Sequence, residues 1–196
     1  MRQLNWYNWI LIWIFVILFY ADALAQEGGF DFRRTRWGMT KVQVGAAETS
    51  GPLEERDNSL AYKGTAVGRK VRISYYFVGD RLDRAEYDFL AKYSDEDSYI
   101  RDYQTIKKDV TYKYGSPSSD KVLSRPSRFK DDALEAALAI STGRIMYFSL
   151  WKTKRTTISL MLAGLNSKIV HSLTYRDRTL ELLLEKARQK GIHSDL

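Results

Sequence analysis

The sequence predicts an α+β protein, in which an antiparallel sheet carries helices packed on one face. Runs of strand-like residues follow one another without an intervening helix, and this order favours antiparallel pairing. The order of a helix, a Gly-Pro or Gly-Ser-Pro stop and three strands occurs twice along the chain. An amphipathic segment comes last. We therefore expect two tandem helix–three-strand repeats followed by a C-terminal helix.

The first repeat is predicted within residues 37–93. Its helix begins at Thr40, because a threonine followed three residues later by Gln43 is the pattern of a capping box. Gly51 and Pro52 are expected to end this helix. Strands are predicted at residues 58–65, 69–78 and 82–89, and the second is the clearest because apolar and polar residues alternate along it.

The second repeat is predicted within residues 94–177. Ser94 and Asp95 are suited to cap a helix, and Gly115 with Pro117 is suited to end it. This helix has an apolar stripe made of Tyr99, Tyr103, Ile106, Val110 and Tyr114. The remaining predicted elements are a polar loop at 116–130, an inserted helix at 131–140, strands at 144–151, 156–163 and 168–175, and a C-terminal helix and tail at 178–196.

An internal similarity accompanies this repeated order. Residues 73–79 read Ile-Ser-Tyr-Tyr-Phe-Val-Gly, and residues 158–164 read Ile-Ser-Leu-Met-Leu-Ala-Gly. The match is short, so the shared order of helices and strands is the stronger argument for a repeat.

Residues 1–25 have the layout of a secretory signal peptide. Arg2 precedes an unbroken apolar run at residues 9–20, and small residues then provide cleavage sites after Ala23 and Ala25. The alternative is an uncleaved membrane anchor, but a spanning helix needs about 20 apolar residues and Asp22 interrupts the run. We expect cleavage, a flexible lead-in at 26–36, and a periplasmic or secreted protein that is membrane-anchored only if the segment is kept.

Charge and cysteine content narrow the class of partner. The chain has 31 Lys and Arg against 24 Asp and Glu, a net charge of +7, and it has no cysteine. In an exported protein a basic surface favours an anionic envelope component over nucleic acid. The positive residues are dispersed in short groups, so an ordinary solvated surface is the alternative. Without disulfides or thiol chemistry, the core alone must stabilise the fold.

The motif Gly38-Met39-Thr40, followed by Gln43-Val44 and then by Gly51-Pro52, resembles the helix-opening motif of the SmpA/OmlA family. Members of that family are small outer-membrane lipoproteins of the β-barrel assembly machinery. The layout of residues 35–190 is similar to the β-lactamase-inhibitor-protein-like fold of tandem α/β repeats. The start at Trp37 also resembles uncharacterised exported bacterial proteins. These resemblances imply a fold of tandem repeats and a role in binding or assembly, although this chain lacks the lipidated cysteine of the SmpA/OmlA family and is longer.

The sequence contains no recognisable catalytic motif. A Gly-x-Ser-x-Gly elbow, a phosphate-binding glycine loop and a His-Glu-x-x-His pair are all absent. His171 and His193 lack metal-ligand spacing, and residues 95–97 are better explained as a helix cap than as a calcium loop. We expect no catalytic residue, no metal and no cofactor. An unrecognised hydrolase with two distant carboxylates stays open as an alternative.

Aromatic and basic residues are the best candidates for binding. Tyr, Trp and Arg are enriched at binding hot spots, and in the inhibitor-like fold an exposed aromatic sheet surface binds other proteins. Core packing is the alternative for the aromatic residues. We expect a non-enzymatic binding or assembly protein that is periplasmic or secreted. It would use a sheet surface to bind another protein or an envelope component. The alternative is a binder of anionic envelope lipid or lipopolysaccharide through its basic groups. The candidate contact residues are Tyr76, Trp151, Lys152, Lys154 and Arg155.

Overall fold

Within the residues that the structure describes, eight strands form one antiparallel sheet and two helices pack against it, as the predicted α+β class requires. The computed structural model describes residues 29–125, 139–166, 168–179 and 182. The predicted signal peptide and most of the predicted C-terminal helix lie outside these residues. The elements are α1 (Lys41–Ala47), β1 (Glu54–Arg56), β2 (Ser59–Ala66), β3 (Arg69–Val78), β4 (Arg81–Phe89), α2 (Glu96–Tyr114), β5 (Ser119–Ser124), β6 (Ile145–Lys152), β7 (Thr156–Leu165) and β8 (Lys168–Asp177).

The strands are arranged in the order β1-β2-β3-β4-β8-β7-β6-β5. The last strand of each half of the chain therefore lies at the centre of the sheet, where β4 pairs with β8 from Arg84↔Arg176 to Asp88↔Ser172. The first strand of each half, β1 or β5, forms an edge. Each described helix is followed by four strands, so the prediction of three strands per helix is wrong.

The two edge strands are the elements that the prediction missed. β1 contains only the charged residues Glu54–Arg56, and β5 lies inside the predicted loop 116–130. An edge strand pairs on one side only and is largely exposed, so it needs no alternating apolar pattern. Of the predicted inserted helix at 131–140, residues 131–138 lie outside the described residues, while Ala139 and Ile140 lie in a turn.

Both predicted helix starts are confirmed. In α1 the Thr40 hydroxyl accepts a hydrogen bond from the Gln43 amide, and the Gln43 side chain accepts one from the Thr40 amide, which completes the capping box. Asp95 caps α2 by accepting from the amide of Ser98. The helix α1 ends earlier than predicted, because Glu48 is already extended and its carboxylate bonds to other parts of the core.

The core lies on the face of the sheet that the two helices contact, which we call the inner face; the opposite side is the outer face. Alternation along β3 places Ile73 and Tyr75 on the inner face and Tyr76 on the outer face. From α2, Tyr103 and Ile106 are buried against the same side. The predicted apolar stripe therefore faces the sheet.

The segment before α1 completes the core. Phe32 is buried, and its ring centroid lies 4.7 to 5.5 Å from those of Tyr75, Tyr87 and Tyr175. Thr35 is also buried. The part of the predicted lead-in from Phe32 onwards therefore contributes to the core through an aromatic side chain.

Candidate functional site

The five predicted contact residues do not form one surface. Tyr76 lies on the outer face of β3, whereas Trp151 lies on the inner face of β6 with only 1% of its surface exposed. The indole nitrogen of Trp151 donates a 3.0 Å hydrogen bond to the carbonyl of Gly115, at the end of α2. This placement makes Trp151 a core residue, which a partner of the folded protein does not reach.

The predicted basic residues lie at the end of β6 and in the turn that follows it. Lys152 and Lys154 are exposed. Arg155 donates a 2.9 Å hydrogen bond to the carboxylate of Asp31, which partly neutralises its charge. Lys154 and Arg155 line a groove of about 250 Å³ together with Lys113 of α2.

Around Tyr76, the outer face carries a fixed arrangement of polar and aromatic groups. The guanidinium of Arg84, the cross-strand neighbour of Tyr76, lies 3.8 Å from the centroid of the tyrosine ring. This distance is that of a cation–π contact. Arg72 of β3 reaches across β2 and is bound to the carboxylate of Glu54 on the edge strand β1. Both Tyr76 and Arg84 are half-buried.

Two carboxylates lie beside this arrangement on β4. Glu86 and Asp88 are separated by one residue and therefore point to the same outer face. Burial raises the pKa of both groups, and the negative charge of Asp88 raises the pKa of Glu86 further. This pair was not predicted from the sequence. The signal that could have found it is the run of charged residues at alternate positions of a predicted strand, namely Arg84, Glu86 and Asp88.

A second set of titratable groups is buried beneath α2. The side chain of His171 is 4% exposed, and its Nδ1 lies 3.7 Å from the carboxylate of Asp102, which also accepts a 2.6 Å hydrogen bond from Arg69. Burial lowers the pKa of His171 to about 4, an effect that the negative charge of Asp102 only partly offsets. Within the part of the chain that the structure describes, Nε2 of His171 has no hydrogen-bond partner.

Comparison of the chain with protein-family models, with curated proteins and with solved structures finds no match. Within residues 29–125, 139–166 and 168–179, no group of three or more His, Cys, Asp or Glu side chains is placed to hold a metal ion. No helix in the part of the chain that the structure describes is long and apolar enough to cross a membrane. The candidate site rests on the geometry of the outer face alone.

Proposed function

We propose that the chain is a non-enzymatic binding or assembly protein of the bacterial periplasm or cell envelope, and that it holds another protein on the outer face of its sheet. The observation that carries this proposal is the stacking of Arg84 on the ring of Tyr76 at 3.8 Å. The pair combines two of the residue types that contribute most to protein interfaces. It is half-buried, so its side chains are partly ordered before a partner arrives.

The charges around Tyr76 support a protein as the partner. Arg72 and Glu54 form an ion pair on the outer face, and Arg84 lies on the same strand as Glu86 and Asp88. Both signs of charge therefore occur around one aromatic residue. A mixed pattern of this kind suits the complementary surface of a protein better than a uniformly anionic polymer or membrane.

We also infer that the two halves of the chain are copies of one unit. Helix α1 precedes the strands β1 to β4, and α2 precedes β5 to β8. The similar segments 73–79 and 158–164 are 85 positions apart; the first lies in the third strand of its half up to Val78, and the second lies wholly in the third strand of its half. The central β4–β8 pair would then lie on a pseudo-twofold axis, as expected for two copies packed edge to edge.

The proposed location depends on residues 1–25. Their apolar run and small-residue cleavage sites support export. The intact mass of the protein recovered from the periplasm would test this point, since a species beginning at Leu24 or Gln26 lacks the signal peptide. A membrane-bound species that retains residue 1 would mean that the segment is an anchor.

Site-specific photo-crosslinking in cells of the source organism tests the binding surface. A photoreactive phenylalanine analogue at position 76 is compared with the same analogue at position 112. Tyr112 is a suitable control because it is 95% exposed on α2, on the other side of the sheet. We expect one defined adduct from position 76 and none from position 112, and mass spectrometry would identify the partner.

The purified partner then gives a quantitative test. Tyr76→Ala should weaken its affinity by at least about tenfold, the loss of a hot-spot residue. Tyr112→Ala should leave the affinity unchanged, and both variants should unfold at the temperature of the parent protein. Equal adducts at positions 76 and 112, or an unchanged affinity of the Tyr76→Ala variant, would contradict the proposal.

The second candidate function is the binding of an anionic envelope lipid or lipopolysaccharide. The observation in its favour is the groove that Lys113, Lys154 and Arg155 share. Vesicles that contain an anionic lipid should then retain the protein at low salt and release it at high salt, because exposed charges are screened. Lys154→Glu should abolish this retention, and retention that neither salt nor Lys154→Glu affects would exclude the groove.

A further inference from the structure

A cavity of about 450 Å³ opens on the inner side of the sheet, at the N-terminal end of α2. Its volume is in the range of small-molecule sites. Tyr93, Tyr99 and Tyr147 line it, and we call it the tyrosine cavity. It lies on the opposite side of the sheet from Tyr76, and the inference drawn from it is independent of the proposed function.

Aromatic rings, aliphatic side chains and the acidic residues 95–97 form the walls. The rings of Tyr93 and Tyr99 are nearly perpendicular, with centroids 4.8 Å apart, and the Tyr99 hydroxyl accepts a hydrogen bond from the amide of Tyr93. Tyr147 stands on β6, with Ile145 and Ile169 beside it. The two rings therefore contact each other edge to face in the cavity wall, and an aromatic wall of this kind suits a compact, apolar guest.

The wall opposite the helix is held in place by two separate contacts. The carboxylate of Glu96 accepts 2.8 Å hydrogen bonds from the amides of both Ile140 and Ser141. The carbonyls of the same two residues pack directly over Gly164, where a Cβ atom would lie only 2.0 Å from the Ile140 oxygen. The turn is therefore positioned by the protein itself before any ligand binds.

Among the residues that the structure describes, two of the three carboxylates at the cavity already accept hydrogen bonds from the protein, and the third does not. Asp95 caps α2 and accepts from both the amide and the hydroxyl of Ser98. Glu96 holds the turn, as described above. Asp97 is exposed, and no hydrogen bond or ion pair within the described residues involves it. Burial raises the pKa of Tyr147, and the negative charges of Asp97 and Glu96 raise it further.

We propose that the tyrosine cavity binds a small organic cation with an apolar surface, such as a quaternary ammonium group. The rings of Tyr93, Tyr99 and Tyr147 provide faces to which a desolvated cation is attracted, and the carboxylate of Asp97 provides the opposite charge. A simple metal cation fits less well, because Asp95 and Glu96 already accept hydrogen bonds from the protein. Asp97 alone would then have to replace much of the hydration of the ion. An anion is repelled by the three carboxylates of residues 95–97.

Choline and its neutral isostere 3,3-dimethylbutan-1-ol provide the decisive pair of probes, because they have nearly the same shape and differ in charge. Titration of the full exported chain, followed by calorimetry or by ligand-observed NMR at constant ionic strength, should show saturable millimolar binding of choline. The isostere should bind about tenfold more weakly, as the range of desolvated cation–π energies indicates. Equal binding of both probes would mean a merely apolar cavity and would overturn the proposal.

Two variants locate the site. Tyr99→Leu removes a ring and Asp97→Asn removes the unpaired charge, so each should weaken choline binding severalfold, whereas Tyr112→Leu on the exposed side of the same helix should not change it. If Tyr99→Leu fails to fold, Asp97→Asn decides the question, since Asp97 is exposed and supports no other described group. No saturable binding of choline, or binding that Asp97→Asn leaves unchanged, would overturn the proposal.

Discussion

The indole nitrogen of Trp37 donates a 2.9 Å hydrogen bond to the hydroxyl of Thr156, a residue 119 positions later in the chain. Both residues are buried. The contact joins the segment before α1 to the start of β7, and it therefore connects the two halves of the protein across the inner face.

Trp37→Phe should lower the free energy of unfolding by about 1–3 kcal/mol, because it leaves the Thr156 hydroxyl buried without this donor. Urea unfolding measures the change. A double-mutant cycle with Thr156→Val provides the control: the second substitution removes the acceptor as well, so the double variant should be more stable than the sum of the single losses predicts. Strictly additive losses would show that the hydrogen bond contributes nothing.

Stability should fall with acid because of His171. The folded state lowers the pKa of His171 to about 4 from an ordinary value of 6.5, so the unfolded chain binds the proton more readily between these two values. The contribution of neutral His171 to the free energy of unfolding is therefore complete above about pH 6.5 and is lost as the pH falls towards 4. This contribution is about 3 kcal/mol at most. Unfolding in urea at pH 7, 5.5 and 4 measures this slope.

His171→Gln should flatten this part of the pH profile, since glutamine does not titrate. Lys154→Gln, a substitution of an exposed basic residue, is the matched control and should keep the slope of the parent protein. Identical slopes for the parent and for His171→Gln would mean that the pH dependence has another source.

The fold was largely predictable where a local pattern determines it. The Thr40–Gln43 capping box, the alternation along β3 and the stripe through Tyr103 and Ile106 each depend on residues a few positions apart, and all three are confirmed. The edge strands β1 and β5 have little burial, so their residues carry no comparable pattern.

The candidate site was less predictable because it depends on register between distant residues. Tyr76 meets Arg84 only because β3 and β4 pair in this register, with an irregularity after Tyr76. His171 meets Asp102 only because β8 lies beneath α2. Trp151 shows the reverse error: its residue type suits an interface, but its position in β6 points to the core. Residue type alone does not tell which face of a strand a side chain occupies.

Asp88→Asn should stabilise the protein at neutral pH. Burial raises the pKa of Asp88 and of Glu86, so the fold disfavours their ionised forms, and stability is lost as the pH rises through the raised pKa values. A neutral amide removes this loss. The temperature of thermal unfolding should therefore rise more at pH 7 than at pH 4. The control is Asp109→Asn, at an exposed position of α2, which should leave the unfolding temperature unchanged at both pH values. If Asp88→Asn raised the unfolding temperature equally at pH 7 and pH 4, the explanation would be contradicted.

Gly164 and Gly45 should respond in opposite directions to substitution by alanine. A Cβ atom at Gly164 would lie 2.0 Å from the carbonyl oxygen of Ile140, and backbone atoms of this kind cannot move aside as a flexible side chain can. Gly164→Ala should therefore destabilise the protein by about 1–3 kcal/mol or more. At Gly45, inside α1, the nearest atom to the new Cβ is 3.9 Å away. Gly45→Ala should stabilise the protein by up to about 1 kcal/mol, because alanine loses less backbone entropy in a helix.

Urea unfolding of both variants under one set of conditions measures this difference in sign. The Gly164→Ala variant has a second use, because the turn at Ile140 is also a wall of the tyrosine cavity. Displacement of that turn should weaken choline binding even where the variant stays folded, whereas Gly45→Ala should leave binding unchanged. If both alanine variants were equally stable, the turn would not be packed against β7 as the structure has it, and the cavity would lose the wall on which the cation proposal depends.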